Sequence, residues 1–121
     1  MSTSFVSAPQ VFLLPLKTVS EMNSRGHWGK RAARARKERK TACAETKARH
    51  ASLPCVVTLT RIGHNELDDD NLGSALKAVR DGVADSFEID DRDKRVEWRY
   101  AQEKCGRGKF AVQVMIESKA A

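Results

Sequence analysis

The sequence predicts a small single-domain α+β fold with the element order strand, helix, strand, helix, strand, strand. Three observations predict it. The chain has 121 residues, enough for one modest core. Two stretches carry helix signatures, residues 30–49 by composition and residues 72–86 by an apolar stripe. Four short runs around them are β-branched or alternate apolar with polar residues.

Residues 1–10 are Ser-rich and are expected to form a flexible tail, as are residues 118–121 at the other end. The domain is expected to fill residues 11–117. Residues 11–16 read as a short strand edged by Pro15. Residues 17–29, with Ser, Asn and two glycines, read as a loop. The Ala, Arg, Lys and Glu of residues 30–49 favour helix, and no Pro or Gly interrupts them. Their apolar content is mainly alanine, so this helix lies on another element or orders against a partner. After Pro54, residues 55–62 read as a strand. Leu72, Ala75, Leu76, Val79 and Val83 then form one helical stripe, which Gly82 weakens without breaking. Residues 95–101 alternate with Val96, Trp98 and Tyr100 on one face, and residues 109–117 with Phe110, Val112, Val114 and Ile116. The glycine-containing segment 103–108 reads as a hairpin loop between them.

Charge is unevenly distributed. The chain nets +6, yet residues 25–50 alone hold ten Lys/Arg against two Glu. Residues 64–103 hold 12 of the 16 carboxylates. The basic stretch invites phosphate, and Arg25, Lys30, Arg31, Arg34, Arg36, Lys37, Arg39 and Lys40 are its candidate DNA contacts. Such contacts are largely independent of base identity. Trp28 is a candidate for stacking on a base or for filling the core. No apolar run approaches the roughly 20 residues of a membrane span, and no basic region precedes the early apolar run as in a signal peptide. Cys43, Cys55 and Cys105 form no CxxC pair and read as reduced intracellular thiols.

The acidic residues form two groups. Asp68, Asp69 and Asp70 precede the apolar stripe, and Asp90 and Asp91 follow it. In an extended segment Asp68 and Asp70 point the same way. The two groups meet only if the chain folds back after the second helix. Carboxylates gathered there repel unless Mg²⁺ or Mn²⁺ sits between them, and such a site supports phosphodiester hydrolysis. Lys77 and Lys104 are the candidate neighbouring cations. Spacing alone favours a structural role: Asp70 or Asn71 as a helix cap, Asp68 and Asp69 complementing its dipole, Asp90 and Asp91 as turn residues. An EF-hand does not fit, because Leu72 and Val79 stand where oxygen ligands are required.

The strings Leu67-Asp68-Asp69-Asp70-Asn71-Leu72 and Ser86-Phe87-Glu88-Ile89-Asp90-Asp91 resemble the RusA family of Holliday junction resolvases, small endodeoxyribonucleases common in prophages. That family carries an Asp-x-Asp-Asn-Leu motif at a helix start and an Asp-Asp pair about twenty residues later. The resemblance spans about residues 11–117 and includes the opening strand, the segment from Ser20 to Arg25 and the closing strands. It implies a RusA-like fold and a Mg²⁺- or Mn²⁺-dependent junction endonuclease acting in DNA recombination and repair. It implies metal-binding acids at Asp68, Asp70 and Asp91, with Asp90 the close alternative to Asp91. It further implies catalytic assistance from Lys77, a basic position near the site at Lys104, and a homodimer that nicks four-way branched DNA symmetrically. A cytoplasmic bacterial setting follows. The alternatives are a non-catalytic nucleic-acid-binding protein and a metal-dependent nuclease without junction preference.

Overall fold

A computed structural model of the protein describes residues 9–18, 28–46 and 53–119. Their element order is β1 (Gln10–Leu14), α1 (Trp28–Thr46), β2 (Cys55–Gly63), α2 (Asp69–Ser86), β3 (Val96–Lys104) and β4 (Ala111–Ser118). Strand and helix alternate as the sequence predicts. Gln10 and Ser118 belong to strands, although composition assigns them to tails. No helix among the described residues is long and apolar enough to cross a membrane.

The four strands form one sheet in the order β1-β4-β2-β3. β2 pairs with β3 in parallel and with β4 antiparallel, and β1 adds to the far side of β4. This overturns the expected hairpin, since β3 and β4 are not neighbours. Alternation fixes which face a side chain occupies and says nothing about which strand lies alongside. The connection through α2 makes β3 a parallel partner of β2, as helical crossovers do. That leaves the other edge of β2 for β4. Residues 105–110 carry the chain past the end of β2, a gap of about two strand spacings, roughly 10 Å. Cys105 N–H donates to Gly63 O at 2.9 Å, and Gly108 takes φ +81°, which glycine adopts without strain.

Leu14, Val57, Leu59, Val112, Val114 and Ile116 point from one sheet face into the core. Leu72, Leu76, Val79 and Val83 of α2 meet them there, so the predicted stripe is the buried one. Among the described residues α1 contributes Ala42 to this core; it lies mainly on α2 and also touches β1. The helices approach closely at Gly82. A Cβ at that position would lie 2.3 Å from Arg39 O and 2.7 Å from Ala42 Cβ. The glycine that weakens α2 by propensity is therefore what seats α1.

The end of α2 matters most for the site. Phe87 is the C-cap, and Glu88 follows in the left-handed region at φ 59°. Glu88 N–H donates to Asp85 O at 2.9 Å and Ile89 N–H to Ala84 O at 3.1 Å. These two bonds make a Schellman turn, usually closed by glycine. It reverses the chain, so residues 89–93 run back along α2. A non-glycine residue in this conformation carries a cost of about 1–2 kcal/mol. Glu88→Gly is accordingly expected to raise Tm by a few degrees, about 0.5–1 kcal/mol, in a thermal melt. An unchanged or lower Tm would show that Glu88 does not hold this turn.

Candidate functional site

The head of α2 is built by its own aspartates. Asp68 is the N-cap, at φ −71° and ψ 169°, and its Oδ1 accepts from Asn71 N–H at 2.9 Å. Asp69 and Asp70 lie in the first helical turn, where carboxylates complement the helix dipole. The cap is thus Asp68, neither Asp70 nor Asn71. The extended geometry expected for Asp68 and Asp70 holds at Asp68 and gives way to helix from Asp69 onward. Asp68, Asp69 and Asp70 are all exposed.

Asp90 and Asp91 sit on the returning segment. Asp90 Oδ1 accepts from Arg92 N–H at 2.9 Å, a local turn bond. Asp91 faces the middle of α2: its Oδ2 lies 3.1 Å from Lys77 Nζ and 3.4 Å from Arg80 Nε. Lys77 Nζ also lies 2.8 Å from Asp81 Oδ1. The fold-back that periodicity could not establish is therefore present, and it joins Asp91 to Lys77. It stops about two turns, roughly 10 Å along the helix, short of Asp70. Among the described residues no three His, Cys, Asp or Glu side chains are grouped to hold a metal ion.

Arg80 locks the returning segment in place. Its Nη2 donates to Asp91 O at 2.9 Å and its Nη1 to Tyr100 Oη at 2.7 Å. Its guanidinium lies 4.9 Å over the Trp98 ring, while Trp98 Nε1 donates to the same Asp91 carbonyl at 3.0 Å. Trp98 and Tyr100, which the alternation places on the core face, thus also support the loop that carries Asp91. Arg39 reaches across from α1 with a two-pronged bond to Asp85, 2.6 Å and 2.9 Å. Arg39, Lys77, Asp81, Asp85, Asp90 and Asp91 line one open cleft of about 460 Å³. Sequence reasoning missed Arg80, Asp81 and Asp85. Their signal is the i, i+4, i+8 spacing of Lys77, Asp81 and Asp85, which reads equally well as a solvated helix face.

The charges settle accordingly. The Lys77 hydrogen bond and charge, aided by Asp90 and Arg80 and opposed by burial, hold the Asp91 carboxyl below its ordinary value of 3.8. Arg39 does the same to Asp85. Asp81 first, then Asp91, raises the Lys77 ammonium above 10.5. A carboxyl depressed on folding adds stability that is complete above its unfolded pKa and vanishes as pH falls through the folded one. Stability is expected to fall by about 1 kcal/mol between pH 5 and pH 2 through the Asp91 contacts, and by less through the more exposed Asp85 pair. Urea denaturation across that range checks it: Asp91→Asn should flatten the slope. An unflattened slope would mean that Asp91 is not paired.

The basic candidates lie alongside. Lys30, Arg36, Lys37, Arg39 and Lys40 are exposed on α1, and Arg31 and Arg34 are half-buried. Arg25 lies outside the described residues. Ala35 and Glu38 line one groove with Gly73, Ser74 and Lys77, whereas Ala42 meets the helix at Gly82. The two helices therefore run in the same direction, and Arg31 and Arg34 lie one turn further toward the head of α2. Lys104, exposed, ends β3 opposite Gly63.

Mg²⁺ and Mn²⁺ prefer hard oxygen donors, and every predicted acid supplies them. Mg²⁺ is held by one or two carboxylates, waters and substrate phosphates, so a complete protein cage is not required. The donor chemistry at the head of α2 fits such an ion. Asp70 is engaged in no ion pair among the described residues, and Asp68 commits only Oδ1. Asp91, by contrast, already holds two cationic side chains. The chain matches no protein-family model and no curated protein.

Proposed function

We propose that this protein is a divalent-metal-dependent endodeoxyribonuclease of the RusA type, which resolves four-way DNA junctions as a homodimer. The observation that carries the reading is the parallel seating of α1 on α2. It runs a helix with seven Lys/Arg beside a helix whose head bears three consecutive aspartates. Phosphates lying along Arg36, Lys37 and Lys40 extend toward Asp70.

Asp68 and Asp70 would hold the ion. When bound, it activates water and stabilises the leaving oxygen of the phosphodiester. The α1 cations bind and orient the DNA backbone. Lys77, kept charged by Asp81 and Asp91, supplies positive charge to the phosphate and cannot serve as a base near neutral pH.

One gel tests the proposal. A mobile four-way junction and a matched linear duplex meet the protein with Mg²⁺, Mn²⁺ or EDTA, beside Asp70→Asn. Paired nicks confined to the junction, and lost with EDTA and in the variant, are expected. Binding of both DNAs without cleavage would instead support a non-catalytic nucleic-acid-binding protein.

A further inference from the structure

A second cleft, of about 430 Å³, opens at the end of β2 between residues 17–18 and the loop 105–110. Lys17, Arg61, His64, Arg107 and Lys109 line it, and among the described residues no carboxylate does. Arg61 is its fixed point. Its Nε donates to Thr18 O at 3.3 Å and its Nη1 to Asn65 O at 2.6 Å. Its guanidinium packs over Gly63, where a Cβ would lie 3.1 Å from Nη1. Among the described residues the Arg61 guanidinium has no carboxylate partner, and burial lowers its pKa below the usual arginine value. A held cation without a counter-ion, with its Nη2 edge uncommitted, is a preorganised anion receptor.

An independent observation points the same way. Thr18 also lines this cleft and is only 3% exposed, yet its Oγ1 has no hydrogen-bond partner among the described residues. A buried hydroxyl left unsatisfied is costly, and a bound oxyanion would accept a hydrogen bond from it. At the cleft rim Phe110 is an apolar ring left 45% exposed. Phosphate oxygens beside an open aromatic face are what one nucleotide of an unpaired strand requires.

We infer that this cleft binds single-stranded DNA, with a backbone phosphate on Arg61, Thr18 and Arg107 and a base stacked on Phe110. The inference rests on the nucleic-acid reading above and adds the strand form and the contacts. It also fits the candidate site spatially. Asn65 of the cleft and Asp68 are three residues apart, at most about 11 Å of chain. A strand held here has its next phosphates near the head of α2.

Fluorescence anisotropy with a labelled oligothymidylate of about ten nucleotides, in EDTA, tests it. Arg61 also holds Thr18 and Asn65, so the variants are Phe110→Ala and Arg107→Ala at exposed positions. Phe110→Ala is expected to weaken binding roughly 5- to 100-fold, and Phe110→Trp to restore it. Arg107→Ala should weaken it several-fold and flatten its salt dependence by somewhat under one unit of slope. Wild-type affinity in both variants overturns the inference. So does unchanged binding in Phe110→Ala together with displacement of the oligonucleotide by inorganic phosphate, which marks a free-anion site. Oligonucleotide binding that depends on Phe110, without junction cleavage, removes the nuclease reading and keeps the cleft. Junction cleavage with wild-type binding in both variants does the reverse.

Discussion

Gly82→Ala is expected to destabilise the protein by about 2 kcal/mol and to lower Tm by roughly 8 °C. Helix propensity argues for the opposite sign, because alanine in place of glycine inside a helix gains about 1 kcal/mol. The contact decides between them. The added methyl would lie 2.3 Å from Arg39 O, a backbone atom within α1, so α1 must move by about 1 Å as a body. Such a shift loosens Ala42, fully buried beneath it, and stretches the Arg39 bond to Asp85. It also displaces the cationic ridge relative to Asp70, so the proposed nuclease function predicts that affinity for duplex DNA falls along with Tm. A melt at or above the wild-type temperature would show that α1 does not seat on α2 at this position.

Arg80→Ala carries the other large effect, about 2–3 kcal/mol. It deletes the bonds to Tyr100 Oη and Asp91 O, the ion pair with Asp91 and the stacking over Trp98. Hydrogen bonds from a charged donor contribute about 1.5–3 kcal/mol each and a cation over an exposed ring about 0.5–1, but they are not additive. Part of the loss is offset, since Trp98 Nε1 still satisfies the Asp91 carbonyl and water reaches the Tyr100 hydroxyl. Arg80→Lys should recover less than half, because a single ammonium cannot span both partners. Denaturant melts followed by tryptophan emission measure both variants. Wild-type stability in Arg80→Ala would mean that the Schellman turn, Lys77 and Trp98 hold the returning segment without Arg80.

The residues that announce the fold act locally. The stripe from Leu72 to Val83 is legible because every third or fourth apolar side chain must reach one sheet, and it does. The alternation of Val112, Val114 and Ile116 is legible for the same reason. Strand neighbours are not, because a period of two marks faces and leaves partners open. The path of Asp91 was hidden for a different reason. The turn that redirects it has Glu88 where glycine normally announces a left-handed residue. Gly82, where glycine does stand, answers to a neighbouring helix that no local pattern reveals. The cleft around Arg61 is illegible in one dimension, because residues 17–18, 61–65 and 107–110 come together only through the sheet order.

That sheet order also sets when the protein can become whole. β2, α2 and β3 form a contiguous unit whose parallel pairing, Cys55 to Val96 onward, closes over about forty residues. β1 is made first but pairs only with β4, where Gln10 meets Ile116 across roughly a hundred residues. At about 5–20 residues per second on the ribosome, its apolar edge waits on the order of 5–20 s for a partner. β4 is also the bridge between β1 and β2, so two of the three strand pairings depend on the last strand to emerge. The nascent chain therefore carries Val11 and Leu13 exposed until β4 emerges, and those two side chains are still more than half exposed in the finished fold.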